Sequence, residues 1–197
     1  MKASSKRSNN LQGTVSCPGD KSISQRSVII GSLLDEDIQI SGFLFAEDPL
    51  STIGALRNLG HEIEIDDDIV SVKNSRKNIS DKKVSCNLGN SGTGFRLISG
   101  LIAGQEIDAE LTGDDSLSKR PMNRIINPLN DMGAMIESNK GCAPLTFNKS
   151  QLVKEFLYEM PIASAQLKSC LLLAAISSNM KLTCLLYTSP SPRDPVS

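Results

Sequence analysis

The sequence predicts an α/β or α+β domain built from repeated βαβαββ units with pseudo-threefold symmetry. Short alternating apolar runs, which are typical of strands, are interleaved with longer amphipathic runs, which are typical of helices. The same order of elements returns after about seventy residues, so the repeat spans one whole unit. A third copy begins near Leu157 and stops after one helix and one strand, which leaves the predicted domain incomplete.

The first unit is predicted to begin with a strand and turn at QGTVSCPGD, followed by a helix from about Ser22 to Leu34 and a strand at IQISGF. The second helix has clear boundary signals. Asp48 is predicted to be its N-cap, Pro49 fits its first turn, and Gly60 suits the residue after its end. HEIEI and IVSVK are then two strands, joined by a turn at Asp66–Asp68.

The second unit repeats this order. VSCNLGNSGTGFRLISGLIAG predicts a strand, a Gly-rich turn and a helix, and IDAELTG predicts a strand. DDSLSKRPMNRIINPLNDMG is predicted to be a loop and a helix, and MIES and PLTF are predicted to be strands. Vague self-similarity of any α/β chain is the alternative explanation. Matched arginines near the starts of matched helices favour a real duplication, in which Arg26 corresponds to Arg96, Gly31 to Gly100 and Gly60 to Gly133.

The composition restricts the classes of function. Hydrophobic residues make up 39% and charged residues 22% of the 197, and the net charge is −1, which argues against a nucleic-acid partner. No apolar run approaches the ~18 residues of a membrane span. The five cysteines show no CxxC pair, so reduced thiols in the cytoplasm are predicted. With one histidine, His61, no metal site is expected, and His61 is predicted to be structural.

The two ends of the chain differ from the predicted domain, which we place at residues 11–184. Residues 1–10 are basic and Ser-rich without an apolar core, and we predict a disordered N-terminus. Residues 185–197 are rich in Pro and Ser and replace the second helix of the third copy. We interpret them as a foreign, adapter- or vector-like tail; the alternative is a natural disordered tail.

Three turns, GDKSISQR, GNSGTGFR and ASAQLKS, each precede a predicted helix. In a pseudo-symmetric domain these helix N-termini would meet at one end, where their free N–H groups and dipoles favour an anion. Taken singly, a Gly-rich turn is usually only a structural turn, and an arginine near a helix start is usually solvated or in an ion pair. Together they offer glycines for close approach at Gly89, Gly92 and Gly94, forked donors at Arg26, Arg96 and Arg120, and a mobile charge at Lys21.

Two further patterns near these turns have simpler interpretations. GDKS lacks the upstream glycine of a phosphate-binding P-loop, so an NTPase is not expected. Asp114 and Asp115 are predicted to cap a loop or pair with neighbouring bases rather than to act as acid or base. Arg120 precedes Pro121 and is therefore expected to be extended, which would let it reach into a cleft.

The motifs PGDKSISQRS, LGNSGTGFRL, LTGDDSLSKRPM and PIASAQLKS resemble, in order, those of the 5-enolpyruvylshikimate-3-phosphate synthase (3-phosphoshikimate 1-carboxyvinyltransferase) family, over about Leu11 to Thr183. The resemblance implies transfer of the enolpyruvyl group of phosphoenolpyruvate to the 5-hydroxyl of shikimate 3-phosphate, a step toward chorismate and the aromatic amino acids. It also implies two similar domains of three units each. A chain with only the first, truncated in its third unit, is expected to be inactive.

The resemblance also implies residue roles. No cofactor, no metal ligand and no catalytic residue is implied here, since the family's acid and base carboxylates lie in the other domain. Glycine at position 92 implies a glyphosate-sensitive parent enzyme, which is expected to be a cytoplasmic monomer without a membrane or nucleic-acid partner. The implied shikimate 3-phosphate ligands are Lys21, Ser22, Arg26, Ser164, Ala165 and Gln166; those of phosphoenolpyruvate are Lys21, Gly92, Arg120 and Gln166; and Asn90, Thr93 and Arg96 shape the loop.

Two alternatives stay open from the sequence. The sister enzyme that transfers enolpyruvate to a UDP-amino sugar (UDP-N-acetylglucosamine) shares the implied fold, but is expected to carry a catalytic cysteine loop and different anion motifs. The KRPM and SAQ motifs favour the shikimate enzyme. From another class, the chain could be a non-catalytic phosphate-binding module.

Overall fold

The computed structural model describes residues 4–5, 10, 12–74 and 83–186. The first unit consists of α1 (Lys21–Gly31), β1 (Ile38–Ser41), α2 (Glu47–Asn58), β2 (Ile63–Asp66) and β3 (Ile69–Val72). The second contains β4 (Val84–Asn87), α3 (Gly92–Gln105), β5 (Ala109–Thr112), a 3₁₀ turn (Leu117–Lys119), α4 (Asn123–Asp131), β6 (Met135–Asn139) and β7 (Cys142–Asn148). The third contains β8 (Glu155–Met160), α5 (Ala165–Ser178) and β9 (Lys181–Leu186).

The predicted order of elements is confirmed from α1 to β9. Both predicted glycine stops are also confirmed: Gly60 and Gly133 follow α2 and α4 with φ of 99° and 105°, a backbone region that glycine enters without steric cost. The turn between β2 and β3 falls at Asp67, as the three consecutive aspartates predict. These features depend on residues close together in the chain, which is why the sequence pattern identifies them.

Three local predictions are wrong. QGTVSCPGD forms no strand, since no strand in the described ranges pairs with it and Val15 is 85% exposed. The first helix ends at Gly31 rather than Leu34, and a turn follows in which the Leu34 amide donates to the Gly31 carbonyl. The N-cap of α2 is Ala46 without a side-chain cap, and Asp48 lies inside the first turn, because its carboxylate pairs with Lys21 of α1 instead.

The three sheets show the repeat in their pairing. The second sheet has the order β4-β5-β7-β6, with β4 parallel to β5 and the other pairs antiparallel. The third sheet has only β8 parallel to β9, which matches the β4–β5 pair around its own helix. The first sheet, β1-β3-β2, is antiparallel and contains no counterpart of β4 among the described residues. The units are therefore related, and only the second is complete within the described ranges.

The predicted domain ends fall largely outside the described residues. Of the predicted disordered segment 1–10, the structure describes only residues 4, 5 and 10, and of the predicted tail 185–197 only the first two. Leu185 and Leu186 continue strand β9, opposite Glu159 and Met160 of β8. The interpretation of the remaining tail stays a prediction.

The helices pack around α3, which contacts α5 most extensively and also touches α1, α2 and α4. α2 contacts both α1 and α3, and α4 contacts both α3 and α5. No described helix covers the corresponding place between α5 and α1. An open apolar groove with about 460 Å³ of empty volume lies there, lined by Arg26, Ile29, Ile30, Ser169, Leu172, Leu173 and Ile176. Within the described residues, no helix is long and apolar enough to cross a membrane.

The glycines of α3 explain how closely α3 and α5 approach. A Cβ built on Gly100 would overlap the main-chain oxygen of Cys170 and lie 2.8 Å from its carbonyl carbon. At Gly104, a Cβ would lie 2.6 Å from the Cβ of Ser177. Gly31, which the sequence matched to Gly100, would meet only the Val72 side chain, at 3.5 Å. The match is therefore not a physical equivalence, since only Gly100 is required by a backbone contact.

His61 is buried, with 3% of its surface exposed and no hydrogen-bond partner for either ring nitrogen among the described residues. Burial lowers the pKa of His61 from 6.5 to about 4. The folded chain keeps the ring neutral, so the unfolded chain takes up the proton first as the pH falls from 6.5 toward 4. We expect this group to cost about 2 kcal/mol of unfolding free energy between pH 7 and pH 4.5.

Urea unfolding at several pH values checks this expectation. His61→Leu should unfold with a smaller loss of stability between pH 7 and pH 4.5 than the unmodified chain, because the variant has no ring to protonate. The carboxylates titrate in both proteins, so the difference between the two pH profiles isolates His61. Identical profiles would contradict the prediction.

Candidate anion-binding site

The first helices of the three units begin at one cavity, as the three related turns predict. Lys21 is the first residue of α1, Gly92 and Thr93 open α3, and Gln166 is in the first turn of α5. The free amides and dipoles of three helix starts thus lie near one place, where they favour negative charge. The cavity has about 510 Å³ of empty volume and is lined by Lys21, Asp48, Asn90, Gly92, Thr93, Arg96, Arg120 and Gln166.

Each of the three helices begins with the same kind of cap, and the cap fixes the residue at which the helix starts. A side-chain oxygen of the residue before the helix accepts a hydrogen bond from the amide of the third helical residue, which is the usual N-cap geometry. One amide of each start is satisfied in this way, and other first-turn amides have no partner within their own helix. The capped amides are Ile23 on Asp20 at 2.8 Å, Gly94 on Ser91 at 3.2 Å and Leu167 on Ser164 at 3.3 Å.

The cavity carries more positive than negative charge. Lys21 Nζ lies 2.9 Å from Asp48 Oδ2, and Asp48 is the sole acid among the described lining residues. Arg96 donates to the Gly92 carbonyl at 2.9 Å, and Arg120 donates to Asn90 Oδ1. Among the described residues, neither arginine is paired with a carboxylate at the cavity, so a bound anion would have two guanidinium groups available.

The charges of the arginines act on one another. Burial is the largest cause of the lowered pKa of Arg96, and repulsion by Arg120 and Arg124 lowers this pKa further. An anion between these side chains would relieve that repulsion. Arg120 is extended, with φ −81° and ψ 132°, as its position before Pro121 predicts. Asp114 accepts the Leu117 amide at 2.7 Å and so caps the loop that presents Arg120, as predicted.

Comparison with known proteins identifies the family. The family model of EPSP synthase (3-phosphoshikimate 1-carboxyvinyltransferase) matches residues 5–191. The chain belongs to the EPSP synthase family. This confirms the resemblance drawn from the four motifs.

Individual EPSP synthase relatives agree in name and in the part they cover. A 3-phosphoshikimate 1-carboxyvinyltransferase of Ruthia magnifica subsp. Calyptogena magnifica is 48% identical over 187 residues, which are 94% of this chain and 43% of that protein. One from Thermoanaerobacter sp. (strain X514) is 45% identical over 90% of this chain and 42% of its own length. The chain spans about two fifths of these relatives.

A solved EPSP synthase confirms the fold class. The structure of EPSP synthase from Acinetobacter baumannii matches with a TM-score of 0.76 and 41% identity, over 83% of this chain and 38% of that one. The mixed α/β architecture with repeated units is therefore that of an EPSP synthase domain, as predicted.

Of the site residues predicted from the EPSP synthase motifs, seven are in the lining of the cavity and four are outside it. The amide of Gln166 donates to Thr93 Oγ1 at 2.9 Å and joins the starts of α5 and α3. Arg26 lines the α1–α5 groove instead of the cavity, because its guanidinium donates to Ser22 O and Ser169 Oγ at 3.2 and 3.1 Å. Those in the lining are Lys21, Asn90, Gly92, Thr93, Arg96, Arg120 and Gln166, and those outside it are Ser22, Arg26, Ser164 and Ala165.

Sequence reasoning missed residues whose partners are distant in the chain. Asp48 was predicted to be a helix cap, but it is the acid of the cavity. Gln25, Thr52 and Ser91 were not singled out, although they form a buried hydrogen-bonded cluster behind the EPSP synthase cavity. One signal in the sequence could have identified them. Gln25 is a polar residue on the helix face that also carries the apolar residues Val28 and Ile29.

Proposed function

We propose that this chain is the anion-binding first part of a 3-phosphoshikimate 1-carboxyvinyltransferase. The complete enzyme would transfer the enolpyruvyl group of phosphoenolpyruvate to the 5-hydroxyl of shikimate 3-phosphate. One observation carries the proposal: three capped helix starts and the side chains of Lys21, Arg96 and Arg120 surround one cavity, whose described lining contains a single carboxylate. Both substrates are polyanions, and their mutual repulsion must be offset by such a surface.

We propose for the two ligands the residues that the family motifs imply. Phosphoenolpyruvate is assigned to Lys21, Gly92, Arg120 and Gln166, with Asn90, Thr93 and Arg96 supporting the loop. Shikimate 3-phosphate is assigned to the adjacent starts of α1 and α5, that is to Lys21, Ser22, Arg26, Ser164, Ala165 and Gln166. Helix starts bind phosphate through main-chain amides, and a guanidinium fork fits a carboxylate or phosphate edge.

Glycine at position 92 lets the side chains of Arg96 and Arg120 lie close against the start of α3. A Cβ there would lie 2.8 Å from Arg120 Nη1 and 3.1 Å from Arg96 Nη1, so a side chain would push against both guanidinium groups. We therefore extend the proposal to the parent enzyme's sensitivity to glyphosate, because with glycine at position 92 both guanidinium groups keep their places for an anionic inhibitor.

The reaction balances as an addition followed by an elimination. The 5-hydroxyl oxygen bonds to C2 of phosphoenolpyruvate and gives up its proton, while C3 gains a proton. The C2–O bond to phosphate then breaks, C3 loses a proton, and inorganic phosphate leaves. This chain's residues would align the reactants and stabilise their charge, which lowers the entropic and electrostatic parts of the barrier. The proton donor and acceptor are proposed to lie in the second domain.

The shikimate acceptor is favoured over a UDP-amino sugar. The curated relatives named above are 3-phosphoshikimate 1-carboxyvinyltransferases at 45% to 48% identity. The five cysteines are all free, which supports a cytoplasmic parent enzyme. We also propose, as the family motifs imply, that this enzyme acts as a monomer.

Calorimetric titration tests the proposal on this chain. Shikimate 3-phosphate should bind, UDP-N-acetylglucosamine should not, and a coupled phosphate-release assay with both substrates should show no turnover, because the chain spans only 43% of its relative. Binding of the sugar nucleotide alone would reject the acceptor assignment. Clear phosphate release would show that the second domain is not needed.

A further inference from the structure

Gln25 is a polar side chain buried completely at the junction of three helices. Its Nε2 lies 2.8 Å from Ser91 Oγ, 3.0 Å from Thr52 Oγ1 and 3.3 Å from the Asp48 carbonyl oxygen. A main-chain carbonyl can only accept, so the amide nitrogen, and not its oxygen, faces this group. One side chain of α1 therefore holds both α2 and the residue before α3.

Each partner of Gln25 is next to a residue that lines the cavity. Ser91 caps α3 and precedes Gly92, and Thr52 donates to the carbonyl of Asp48. Gln25 itself is not in the cavity lining. Its contacts therefore connect, from outside the cavity, the segments that carry Lys21, Asp48 and Gly92.

Gly94 leaves the space that this cluster occupies. A Cβ on Gly94 would lie 2.7 Å from both Ser91 Oγ and Thr52 Oγ1, and 3.0 Å from Gln25 Nε2. Any side chain at this position would displace the hydroxyls. The second glycine of the GTG sequence is thus required by the hydrogen bonds of Gln25.

The amide is an unfavourable choice for stability alone. Gln25 Oε1 is buried and has no hydrogen-bond partner among the described residues. An unpaired buried oxygen destabilises the folded state, and a leucine of similar volume would avoid that cost. An amide in this place is better explained by what its nitrogen holds.

We propose that Gln25 is a positioning residue that fixes the start of α3 and the Asp48 turn against α1, so that Gly92 and Lys21 can bind the same anion. The inference deepens the proposed function and depends on it for the identity of the ligand. It concerns residues that the motif assignments do not include.

Gln25→Leu separates positioning from stability. Its urea midpoint should stay close to that of the unmodified chain, because the loss of the contacts of Nε2 and the removal of the unpaired Oε1 act in opposite directions. Hydrogen exchange of the Gly94 amide should become about fivefold faster. The dissociation constant for shikimate 3-phosphate, measured by titration, should rise about tenfold. Thr52→Val, which removes one partner at constant volume, should shift exchange and affinity in the same direction by less. When Ser91→Ala is combined with Gln25→Leu, the two changes in the free energy of binding should not add, because both substitutions remove the same contact.

Ile136→Val is the control, because Ile136 lies in the core on β6 and outside the cavity lining. It should lower the midpoint and leave both exchange at Gly94 and the dissociation constant unchanged. If Gln25→Leu leaves Gly94 exchange unchanged, or changes affinity only in step with stability, the inference is overturned. If the unmodified chain binds no shikimate 3-phosphate, the proposed function fails, while faster Gly94 exchange would still support positioning by Gln25.

Discussion

Gly100→Ala is expected to lower the free energy of unfolding by about 3 kcal/mol, the upper part of the usual cost of an inserted methyl group. The added carbon would overlap the Cys170 carbonyl oxygen, which belongs to the backbone of α5. The neighbour cannot turn away as a side chain could, so α3 and α5 must separate. This contact is the most extensive between helices in the described part of the chain, so the loss should spread through the core.

Two other helical glycines provide matched controls. Gly31→Ala would meet only the Val72 side chain at 3.5 Å, and Gly54→Ala would meet nothing within 4 Å. Gly54→Ala should therefore stabilise the chain by about 0.5–1 kcal/mol through helix propensity, and Gly31→Ala should change stability little. Urea unfolding of the three variants measures the difference. If Gly100→Ala is as stable as Gly54→Ala, the close approach of the two helices is wrong.

Arg120→Ala is expected to weaken phosphoenolpyruvate binding by about 10- to 100-fold, the loss expected for hydrogen bonds to a charged group. Arg120 is one of three cations in the described lining of the cavity, and no carboxylate of that lining pairs with it. Arg120→Lys should restore only part of the affinity, because an ammonium group lacks the planar fork of donors. Titration with phosphoenolpyruvate in the presence of shikimate 3-phosphate measures each dissociation constant.

The control for net charge is Lys149→Ala, which removes a positive charge from an exposed position outside the cavity. Its dissociation constant should stay within about twofold of the unmodified chain, because exposed distant charges are screened at physiological salt. Equal effects of Arg120→Ala and Lys149→Ala would mean that affinity follows total charge, which would remove Arg120 from the binding site.

The sequence alone determined the order of elements and most of the cavity. Strands and helices follow from local periodicity, and glycines such as Gly60 and Gly133 mark turns through their own backbone freedom. The motif turns identified Lys21 and Gly92, because a helix start is encoded by a few consecutive residues, and the proline at position 121 predicted the extended Arg120.

The tertiary structure alone decided which distant groups meet. Asp48 pairs with Lys21 across 27 positions, and Gln25 reaches Ser91 across 66. It separated Gly100, which touches a backbone, from Gly31, which does not. Within the described ranges, no strand pairs with the segment before α1 that was predicted to be a strand. Local propensity depends on neighbours along the chain. Ion pairs, buried amides and strand pairing depend instead on which surfaces packing brings together, and no short stretch of sequence contains that information.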